Sequence, residues 1–348
     1  MNRADAVAMP RMDGPRRRPL PPGGTWAVVL AGGEGSRLRA LTTTAAGVAV
    51  PKQFCSLRGG ASLLEEALQR ATSVAPVERV CAVVAAQHAE WWCRPLAGLA
   101  PSNVFVQPHN RGTAVGILLA LVHILERDPA ASIVLLPADH HVGEEAVLAR
   151  ALGQAVAATH ARPSDVVLLG VTPEDADPEL GYIVPADDVA GTPMPVARFV
   201  EKPSVPEAEA LIARGALWNV FIVAARATAL RALFEQHDPG LLRRMRFAVR
   251  RALLGADPTT ALADLYARLR SVDFSRDIAQ RFSAAFRVQR VPACAWNDLG
   301  TVQRVTKTLL AMSRLTERPL LARAGGFLSL EQQHLAARAP QFGLRADL

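Results

Sequence analysis

Short apolar runs alternate with segments of helical periodicity from Thr25 to about residue 171, and this alternation limits the folds open to the chain. The apolar runs predict buried strands at Trp26–Leu30, Val80–Ala85, Val104–Val106, Ile133–Leu136 and Val166–Val171. Helical periodicity predicts helices over Ser62–Thr72, Ala114–Leu125 and Glu144–Thr159. Strands that alternate with helices pair in parallel, because a helix must carry the chain back before the next strand begins. We therefore expect an α/β fold with a mostly parallel central sheet flanked by helices.

Beyond residue 180 the alternation is less regular. Tyr182–Val184, Arg198–Val200 and Val220–Ala224 predict further strands, Leu230–Leu254 is mainly helical, and 302–338 also has a helical pattern. Residues 1–24 are rich in Pro, Arg and Gly and have no hydrophobic period, which predicts a disordered leader. We expect three parts: the leader (1–24), one α/β domain (25–301) and a helical C-terminal segment (302–348).

The composition excludes several classes of protein. No apolar run approaches the roughly 20 residues that span a bilayer, and no apolar signal segment follows the N-terminal arginines. Four scattered cysteines without a C-x-x-C pair argue against a zinc site or a disulfide scaffold and favour a reducing cytoplasm. The net charge is +7, but five arginines and two aspartates in residues 1–24 contribute +3 of it. The remainder is mild and suits a polyanionic small molecule.

The first predicted strand leads directly into a glycine-rich loop, residues 31–38 with the sequence AGGEGSRL. Glycines let the backbone pass close to a phosphate chain, and Arg37 can neutralise its charge. A tight turn between strand and helix explains the same glycines. The loop is not a P-loop, because no Gly-Lys-Ser/Thr follows, and Leu38 stands where a dinucleotide fingerprint has its third glycine.

Seven further segments follow this loop in order: PKQF (51–54), QPHNRGTA (107–114), LPADH (136–140), LGYI (180–183), FVEKP (199–203), WNVF (218–221) and WNDLG (296–300). With the glycine loop they resemble the signature of the nucleotidyltransferases that make nucleotide sugars, over residues 27–301. The Gln-Phe pair after Lys52 is most similar to the mannose-1-phosphate guanylyltransferases. Any one of these segments is weak support, whereas the ordered set is difficult to explain by coincidence.

The resemblance implies a Rossmann-like nucleotidyltransferase fold and a Mg²⁺-dependent reaction between a nucleoside triphosphate and a sugar 1-phosphate, with GTP and mannose 1-phosphate as the expected pair. Arg37 and Lys52 would be catalytic, stabilising the triphosphate and the phosphates near the reacting centre. Asp139 and Asp298 would bind Mg²⁺, which suits an ion that takes few carboxylates. The nucleotide would contact Gly32, Gly33, Gly35, Gln107, Arg111 and Thr113. The sugar and its phosphate would contact Gly181, Glu201, Lys202 and Asn219.

Several of these residues have simpler interpretations. Asp139 is in a place where aspartate often caps the helix that follows a strand. His140 and His141 are explained by loop polarity, and the tryptophans of WNVF and WNDLG by core packing. The chain departs from the family pattern at several places. Ala40 replaces a proline, 42–50 lacks the usual arginines, Arg111-Gly112-Thr113 replaces Arg-Asn-Thr, and Val220 replaces glycine or serine beside Asn219. Val220 predicts a crowded sugar pocket.

Other functions remain open at this point. One is a pyrophosphorylase for another nucleotide and sugar, and another is a catalytically weak homologue with a regulatory role. Nucleic-acid binding would use a group of arginines at 243, 244, 246, 250 and 251, but these surround Leu242, Met245 and Val249 at helical spacing, which favours a solvated helix face. The segment after residue 301 is too short for the β-helix or isomerase domain fused in some relatives, so we expect one activity. A homo-oligomer is neither predicted nor excluded.

Overall fold

A computed structural model describes residues 21–316 except 45, 188–192 and 256–257. The predicted leader therefore lies outside the described residues up to residue 20, and the predicted C-terminal helical segment lies outside them beyond residue 316.

The strands of the described chain are β1 (Thr25–Ala31), β2 (Val80–Ala85), β3 (Val104–Gln107), β4 (Ser132–Pro137), β5 (His141–Val142), β6 (Val166–Val171), β7 (Gly181–Pro185), β8 (Met194–Glu201), β9 (Leu217–Arg226), β10 (Phe286–Arg290) and β11 (Trp296–Asn297). The helices are α1 (Arg39–Thr42), α2 (Leu63–Thr72), α3 (Ala89–Trp92), α4 (Thr113–Arg127), α5 (Glu145–Ala161), α6 (Val205–Ala213), α7 (Ala227–His237), α8 (Pro239–Leu253), α9 (Pro258–Arg268) and α10 (Val302–Thr316).

Nine strands of the described chain form one sheet in the order β3-β2-β1-β4-β9-β6-β10-β8-β7. Seven of them point the same way, and β8 and β9 run against them, which confirms the mostly parallel central sheet. Because β9 runs antiparallel between β4 and β6, its first residues lie at the edge where those strands end. In open α/β sheets ligands bind beyond this carboxyl edge.

Helices cover both faces of the sheet. On one face α2 and α5 pack on the sheet through residues such as Leu64 and Leu152. On the other face α4, α7, α8 and α9 surround a second core that contains Leu118 and Phe234. Nearly every residue of β1, β2, β4 and β6 is buried, as expected for strands covered from both sides.

Local sequence signals explain where several helices begin. Ser62 and Glu65 form a capping box at the start of α2, in which each side chain hydrogen bonds to the other residue's backbone N–H. The helical pattern predicted over Leu230–Leu254 is two helices, because Pro239 has no N–H to continue α7 and instead begins α8. The Asp238 side chain caps this second helix by accepting from the Leu241 N–H at 2.8 Å.

The arginines of α8 lie on its solvent side, opposite the buried Leu242 and Met245. Arg246 and Arg250 both hydrogen bond to Glu126 of α4, at 3.2 and 2.9 Å. These internal ion pairs support a solvated helix face. Among the described helices, none has the length and apolarity needed to cross a bilayer.

Candidate active site

A cleft of about 440 Å³ lies at the carboxyl edge of the central strands. Twelve of the fourteen site residues predicted from sequence line it: Gly32, Gly33, Gly35, Arg37, Gln107, Thr113, Asp139, Gly181, Glu201, Lys202, Asn219 and Asp298. The fold thus brings together residues from the first and the last motif of the chain. Lys52 and Arg111 are the two that do not line the cleft.

The glycine loop after β1 packs directly against the second motif. Gly35 has a φ of +59°, and a Cβ at this position would lie 2.6 Å from the backbone nitrogen of Lys52, so only glycine fits without strain. Gln53 stabilises the glycine loop, because its side-chain NH₂ donates to the carbonyl oxygens of Ala31 at 3.1 Å and Gly33 at 2.7 Å. Gln53 is therefore a scaffold residue for the loop, a role that the sequence pattern did not indicate.

Lys52 lies behind the cleft, and its side chain is only 6% exposed. Its ammonium group is 3.0 Å from Oδ2 of Asp139 and donates to the backbone carbonyl oxygens of Asp298 at 2.6 Å and Leu299 at 3.3 Å. The expectation that Lys52 reaches substrate phosphates does not match this placement. The lysine instead joins the two segments that carry the predicted metal carboxylates.

Asp139 follows β4 and presents its carboxylate to the cleft, where its side chain is 39% exposed. It does not cap a helix, since the next element is β5 and the N-cap residue of α5 is Glu144. Burial alone would raise the pKa of Asp139, but the Lys52 ammonium and its hydrogen bond outweigh that effect and hold the pKa below its usual value. Asp139 is thus kept ionised at the mouth of the site.

Asp298 follows β11 and is almost completely buried, with Oδ1 3.0 Å from the guanidinium group of Arg304. Sequence reasoning missed Arg304, because a single arginine in the first turns of α10 carries no motif. Only the structure identifies Arg304, because its side chain is 12% exposed and also lies 2.6 Å from the carboxylate of Asp177. Arg304 therefore belongs to the surroundings of the site.

Asp139 and Asp298 are the two carboxylates expected to bind a metal ion, and both line the cleft. Among the described residues no three Asp, Glu, His or Cys side chains are placed to hold a metal ion together. Zinc and other ions that take a complete set of protein ligands are therefore not suited to this cleft. Two carboxylates that line one cleft fit Mg²⁺, which keeps waters and takes substrate phosphate oxygens as its other ligands.

The two histidines after Asp139 differ in their surroundings. His140 accepts a hydrogen bond at Nδ1 from the indole N–H of Trp296 at 3.3 Å, and its Nε2 faces Asp139 at 3.6 Å. Burial lowers the pKa of His140 to about 4, which keeps the ring neutral. His141 points away from this cleft, toward Glu66 of α2. His140 thus has a defined place beside Asp139 and is more than a polar loop residue.

Neighbouring strands bring the predicted sugar residues together. Gly181 of β7 pairs directly with Glu201 of β8, and the backbone N–H of Lys202 donates to the Leu180 carbonyl at 3.2 Å. Lys202 has a φ of +52°, an uncommon backbone conformation for a non-glycine residue. Burial and the nearby Asp273 raise the pKa of Glu201 to about 7, although Lys202, Arg276 and Ser275 act in the opposite direction.

The prediction that Val220 crowds the sugar pocket is wrong. Successive side chains of a strand point to opposite faces, and in β9 Asn219 and Phe221 line the cleft. Val220 therefore faces the other way, into the core, where it is 1% exposed. The side-chain carbonyl oxygen of Asn219 accepts a hydrogen bond from the backbone N–H of Phe221 at 3.0 Å, which fixes the side-chain amide at the cleft wall.

A second residue missed from sequence, Glu179, joins the two exposed cations of the cleft. Its Oε2 atom lies 3.0 Å from a guanidinium nitrogen of Arg37 and 3.5 Å from the ammonium nitrogen of Lys202. Each of these three side chains is between 41 and 50% exposed. One carboxylate oxygen thus sits between the cation of the glycine loop and the cation that follows β8.

At the other end of the cleft, Gln107 and Thr113 flank a pocket bounded by glycines. The Gln107 side-chain carbonyl oxygen accepts from the Tyr266 hydroxyl at 3.4 Å, and its Nε2 atom lies 2.5 Å from where a Cβ of Gly32 would be. Arg111 turns away and donates to the Tyr266 carbonyl at 2.8 Å. Gly112 has a φ of +84°, and any Cβ there would collide with the Val272 carbonyl. That backbone conformation explains why glycine replaces the asparagine of the family pattern.

The chain matches the model of the family described as nucleotidyl transferase over residues 26–313. A mannose-1-phosphate guanylyltransferase of Klebsiella pneumoniae is 30% identical over 280 residues, which cover 79% of this chain and 58% of that protein. The chain therefore spans little more than half the length of this relative.

Solved structures of similar fold include those of two enzymes named after sugar derivatives. A structure described as a mannose-1-phosphate geranyltransferase from Thermus thermophilus has a TM-score of 0.68 at 30% identity, covering 85% of this chain and 80% of that chain. A UDP-glucose pyrophosphorylase from Acinetobacter baumanii has a TM-score of 0.52 at 15% identity, over 85% of this chain and 95% of that chain, and shows a shared fold alone.

Proposed function

This chain belongs to the nucleotidyl transferase family, and we propose that it joins a nucleoside triphosphate to a sugar 1-phosphate with release of pyrophosphate. One observation carries the proposal. The carboxylates of Asp139 and Asp298 line the same cleft as the exposed cations Arg37 and Lys202, and Lys52 joins the Asp139 carboxylate to the backbone of Asp298. A reaction between two phosphate-bearing anions needs this combination of cations and metal ligands.

In the proposed reaction a phosphate oxygen of the sugar 1-phosphate attacks the α-phosphorus of the nucleotide. The bond between that phosphorus and the bridging oxygen to the β-phosphorus breaks, and pyrophosphate leaves with the electron pair. Reactions of this class depend on positioning and charge stabilisation, with little covalent chemistry by the protein. The direct displacement therefore requires no covalent intermediate on the protein.

Arg37 and Lys202 are assigned to the two phosphate groups. Arg37 lies in the glycine loop at the end of β1, where backbone N–H groups and a guanidinium fork suit the triphosphate. Lys202 follows β8 next to Glu201, at the sugar end of the cleft. Glu179, which pairs with both cations through one carboxylate oxygen, would have to release them when the substrates bind.

Asp139 and Asp298 are assigned to Mg²⁺, with Lys52 as their support. When bound, the ion would neutralise charge that develops on the phosphates. Lys52 contributes by keeping Asp139 ionised and by tying the Asp298 backbone to the same point. This assignment revises the direct phosphate contact expected of Lys52.

We assign the base pocket to guanine, and so the nucleotide to GTP. The side-chain carbonyl oxygen of Gln107 accepts a hydrogen bond from the Tyr266 hydroxyl. The amide NH₂ of Gln107 therefore points the other way, toward Gly32, which has no side chain to fill the space. An NH₂ donor there suits the 6-oxo group of guanine and disfavours the 6-amino group of adenine. The guanylyltransferase names of the similar proteins support the same base.

We assign the sugar end to mannose 1-phosphate. Glu201 and Asn219 place a carboxylate and an amide where they can hydrogen bond to sugar hydroxyls, and the absence of a side chain at Gly181 leaves room between them. Because Val220 packs into the core, it does not obstruct a hexose beside Asn219.

We propose the cytoplasm as the place of this reaction. The cysteines Cys55, Cys81, Cys93 and Cys294 are all free thiols, which suits a reducing compartment.

The test is pyrophosphate release across a panel of nucleoside triphosphates and sugar 1-phosphates with Mg²⁺. We expect GTP to exceed ATP, UTP, CTP and dTTP in kcat/KM by about 10² or more, since a wrong base leaves buried polar groups unpaired. Mannose 1-phosphate should exceed glucose 1-phosphate by a smaller factor. Preference for another base would reject the substrate assignment, and release from none of the pairs would reject the activity.

A further inference from the structure

Arg304 of α10 contacts three separate segments that border the cleft. One guanidinium nitrogen lies 3.0 Å from Oδ1 of Asp298, and the other lies 2.6 Å from Oδ2 of Asp177. The central carbon of the guanidinium group is also 4.9 Å from the centre of the Trp218 ring, at the start of β9. A single side chain thus joins the segments after β11, before β7 and at the start of β9.

The chemistry of this contact favours arginine specifically. A planar guanidinium fork can hold two carboxylates in fixed directions, which a lysine ammonium cannot do. The Arg304 and Asp298 side chains are 12% and 7% exposed, so water screens their ion pair weakly. The fork therefore fixes Oδ1 of Asp298, so a metal ion bound by this carboxylate would use Oδ2.

Asp177, the second partner of Arg304, is hydrogen bonded to residues at the sugar end of the cleft. Oδ1 of Asp177 accepts from the backbone N–H of Glu179 at 2.7 Å, and its carbonyl oxygen accepts from the Tyr182 hydroxyl at 3.0 Å. These bonds shape the turn that carries Glu179 and enters β7 at Gly181. Arg304 holds that turn through the Asp177 carboxylate.

We infer that Arg304 is a positioning residue with two roles. It orients the Asp298 carboxylate toward the metal ion, and it holds the turn before Gly181 in place beside Asp298. Loss of the fork frees Asp298 to rotate and leaves a nearly buried carboxylate without its cation. Outer partners of metal ligands typically change metal affinity or activity by about 10–100-fold when they are removed. The inference rests on the proposed function, because Asp298 is a metal ligand only in that assignment.

The chain offers a matched control on the same helix. Lys307 lies one turn after Arg304 and carries the same charge, but it pairs with the exposed Glu174 outside the cleft. Its side chain is 63% exposed. Lys307→Met therefore reproduces the loss of a positive charge from α10 without touching Asp298 or Asp177.

The experiment is a calorimetric titration of GTP, without sugar 1-phosphate, into the wild-type protein, Arg304→Met, Arg304→Lys and Lys307→Met. Each titration is run once with Mg²⁺ and once with EDTA, so that no turnover is needed. We expect Arg304→Met to weaken binding by about 10–100-fold with Mg²⁺ and by less than about threefold with EDTA. Arg304→Lys should show the same Mg²⁺-specific loss to a smaller extent, and Lys307→Met should match the wild type.

Equal weakening with Mg²⁺ and with EDTA would overturn the inference, since it would show a structural effect on the whole pocket. Wild-type affinity in both Arg304 variants would overturn it as well. If Arg304→Met does not fold, Arg304→Lys decides, because it keeps the charge and the alkyl stem. A wild-type protein that does not bind GTP under either condition refutes the proposed function itself, before any variant is compared.

Discussion

Lys52 and Asp139 form a 3.0 Å ion pair in which the lysine is buried and the aspartate faces the cleft. The same ammonium group donates to the Asp298 carbonyl, 246 positions further along the chain. The pair therefore connects the end of β4 to the segment after β11. The buried ammonium group faces the Asp139 carboxylate and the Asp298 backbone, while the more exposed cation Arg37 is the one that we propose contacts the substrate.

This relationship predicts different results for the two cations. Lys52→Met should lower both turnover and stability, because Asp139 loses its partner and two buried carbonyl oxygens lose their donor. We expect the free energy of unfolding to fall by about 1–3 kcal/mol. Arg37→Met should weaken GTP binding but leave the melting temperature within about 1 °C, because exposed ion pairs contribute little to stability. Urea unfolding and GTP titration of both variants make the comparison.

A Lys52→Met protein with unchanged stability and a raised KM for GTP would contradict the account. That result would return Lys52 to a direct contact with substrate phosphates.

Glu179 predicts a variant that binds substrate more tightly. Its carboxylate competes with phosphate for Arg37 and Lys202, so Glu179→Gln should lower the Kd for inorganic pyrophosphate. We expect a change of about threefold to fivefold, since exposed pairs are worth up to about 1 kcal/mol. Glu207→Gln is the control, because the Glu207–Arg198 pair has similar exposure and lies outside the cleft. Unchanged or weaker pyrophosphate binding by Glu179→Gln would show that Glu179 does not compete.

Glu201 predicts a pH dependence of stability. Its pKa is raised to about 7 in the folded protein, from an ordinary value of 4.5, mainly by burial and by Asp273. A carboxyl group with a raised pKa stabilises the fold fully below its unfolded pKa, and this contribution is lost as pH rises through the folded pKa. Glu201→Gln mimics the protonated form at every pH. The variant should therefore match the wild type near pH 4.5 and exceed it in melting temperature at about pH 8.

Thermal unfolding of both proteins from about pH 4.5 to about pH 8.5 measures this difference. An advantage for Glu201→Gln that does not change with pH would show that Glu201 does not titrate in that window. The same variant should raise the KM for mannose 1-phosphate, because the proposed hydroxyl contacts need the carboxylate.

Gln107 predicts how modified purines behave. Inosine triphosphate keeps the 6-oxo group that we assign to the Gln107 amide NH₂, whereas 2-aminopurine riboside triphosphate lacks it. We expect inosine triphosphate to stay within about tenfold of GTP in kcat/KM and the 2-aminopurine nucleotide to lose about 10² or more. Gln107→Leu should reduce the difference between the two analogues. An enzyme that prefers the 2-aminopurine nucleotide would show that the pocket reads the 2-amino group.

Local patterns in the sequence were sufficient for the core of the fold. Buried strands produce unbroken apolar runs and covered helices produce a helical period, so β1, β2, β4, β6 and the helices α2, α4 and α5 are predicted to within two residues, whereas the one-turn helices α1 and α3 are not predicted. Ordered motifs then predicted most of the cleft lining, because most of them follow or begin a strand of the central sheet beside the cleft. The orientation of Val220 was also open to prediction, since Asn219 and Phe221 share a strand face that excludes it.

Contacts between distant segments were not accessible in this way. The partners of Lys52 lie on two other segments, and nothing near the lysine distinguishes a buried ammonium from one that meets substrate. Arg304 and Glu179 belong to no motif, and a charged residue on a helix or in a turn is ordinarily solvated. Their roles follow only from the tertiary placement of Asp298 and Lys202.

We propose that this cleft transfers a nucleotidyl group with the help of the Asp139 carboxylate. Phosphorus NMR of the protein with GTP, mannose 1-phosphate and Mg²⁺ tests it most directly, with Asp139→Asn as the paired sample. We expect resonances of pyrophosphate and of a new sugar-linked nucleoside diphosphate to grow together in the wild type, and at least about a hundredfold more slowly in the variant. Release of inorganic phosphate alone, or equal rates in the two proteins, would contradict it.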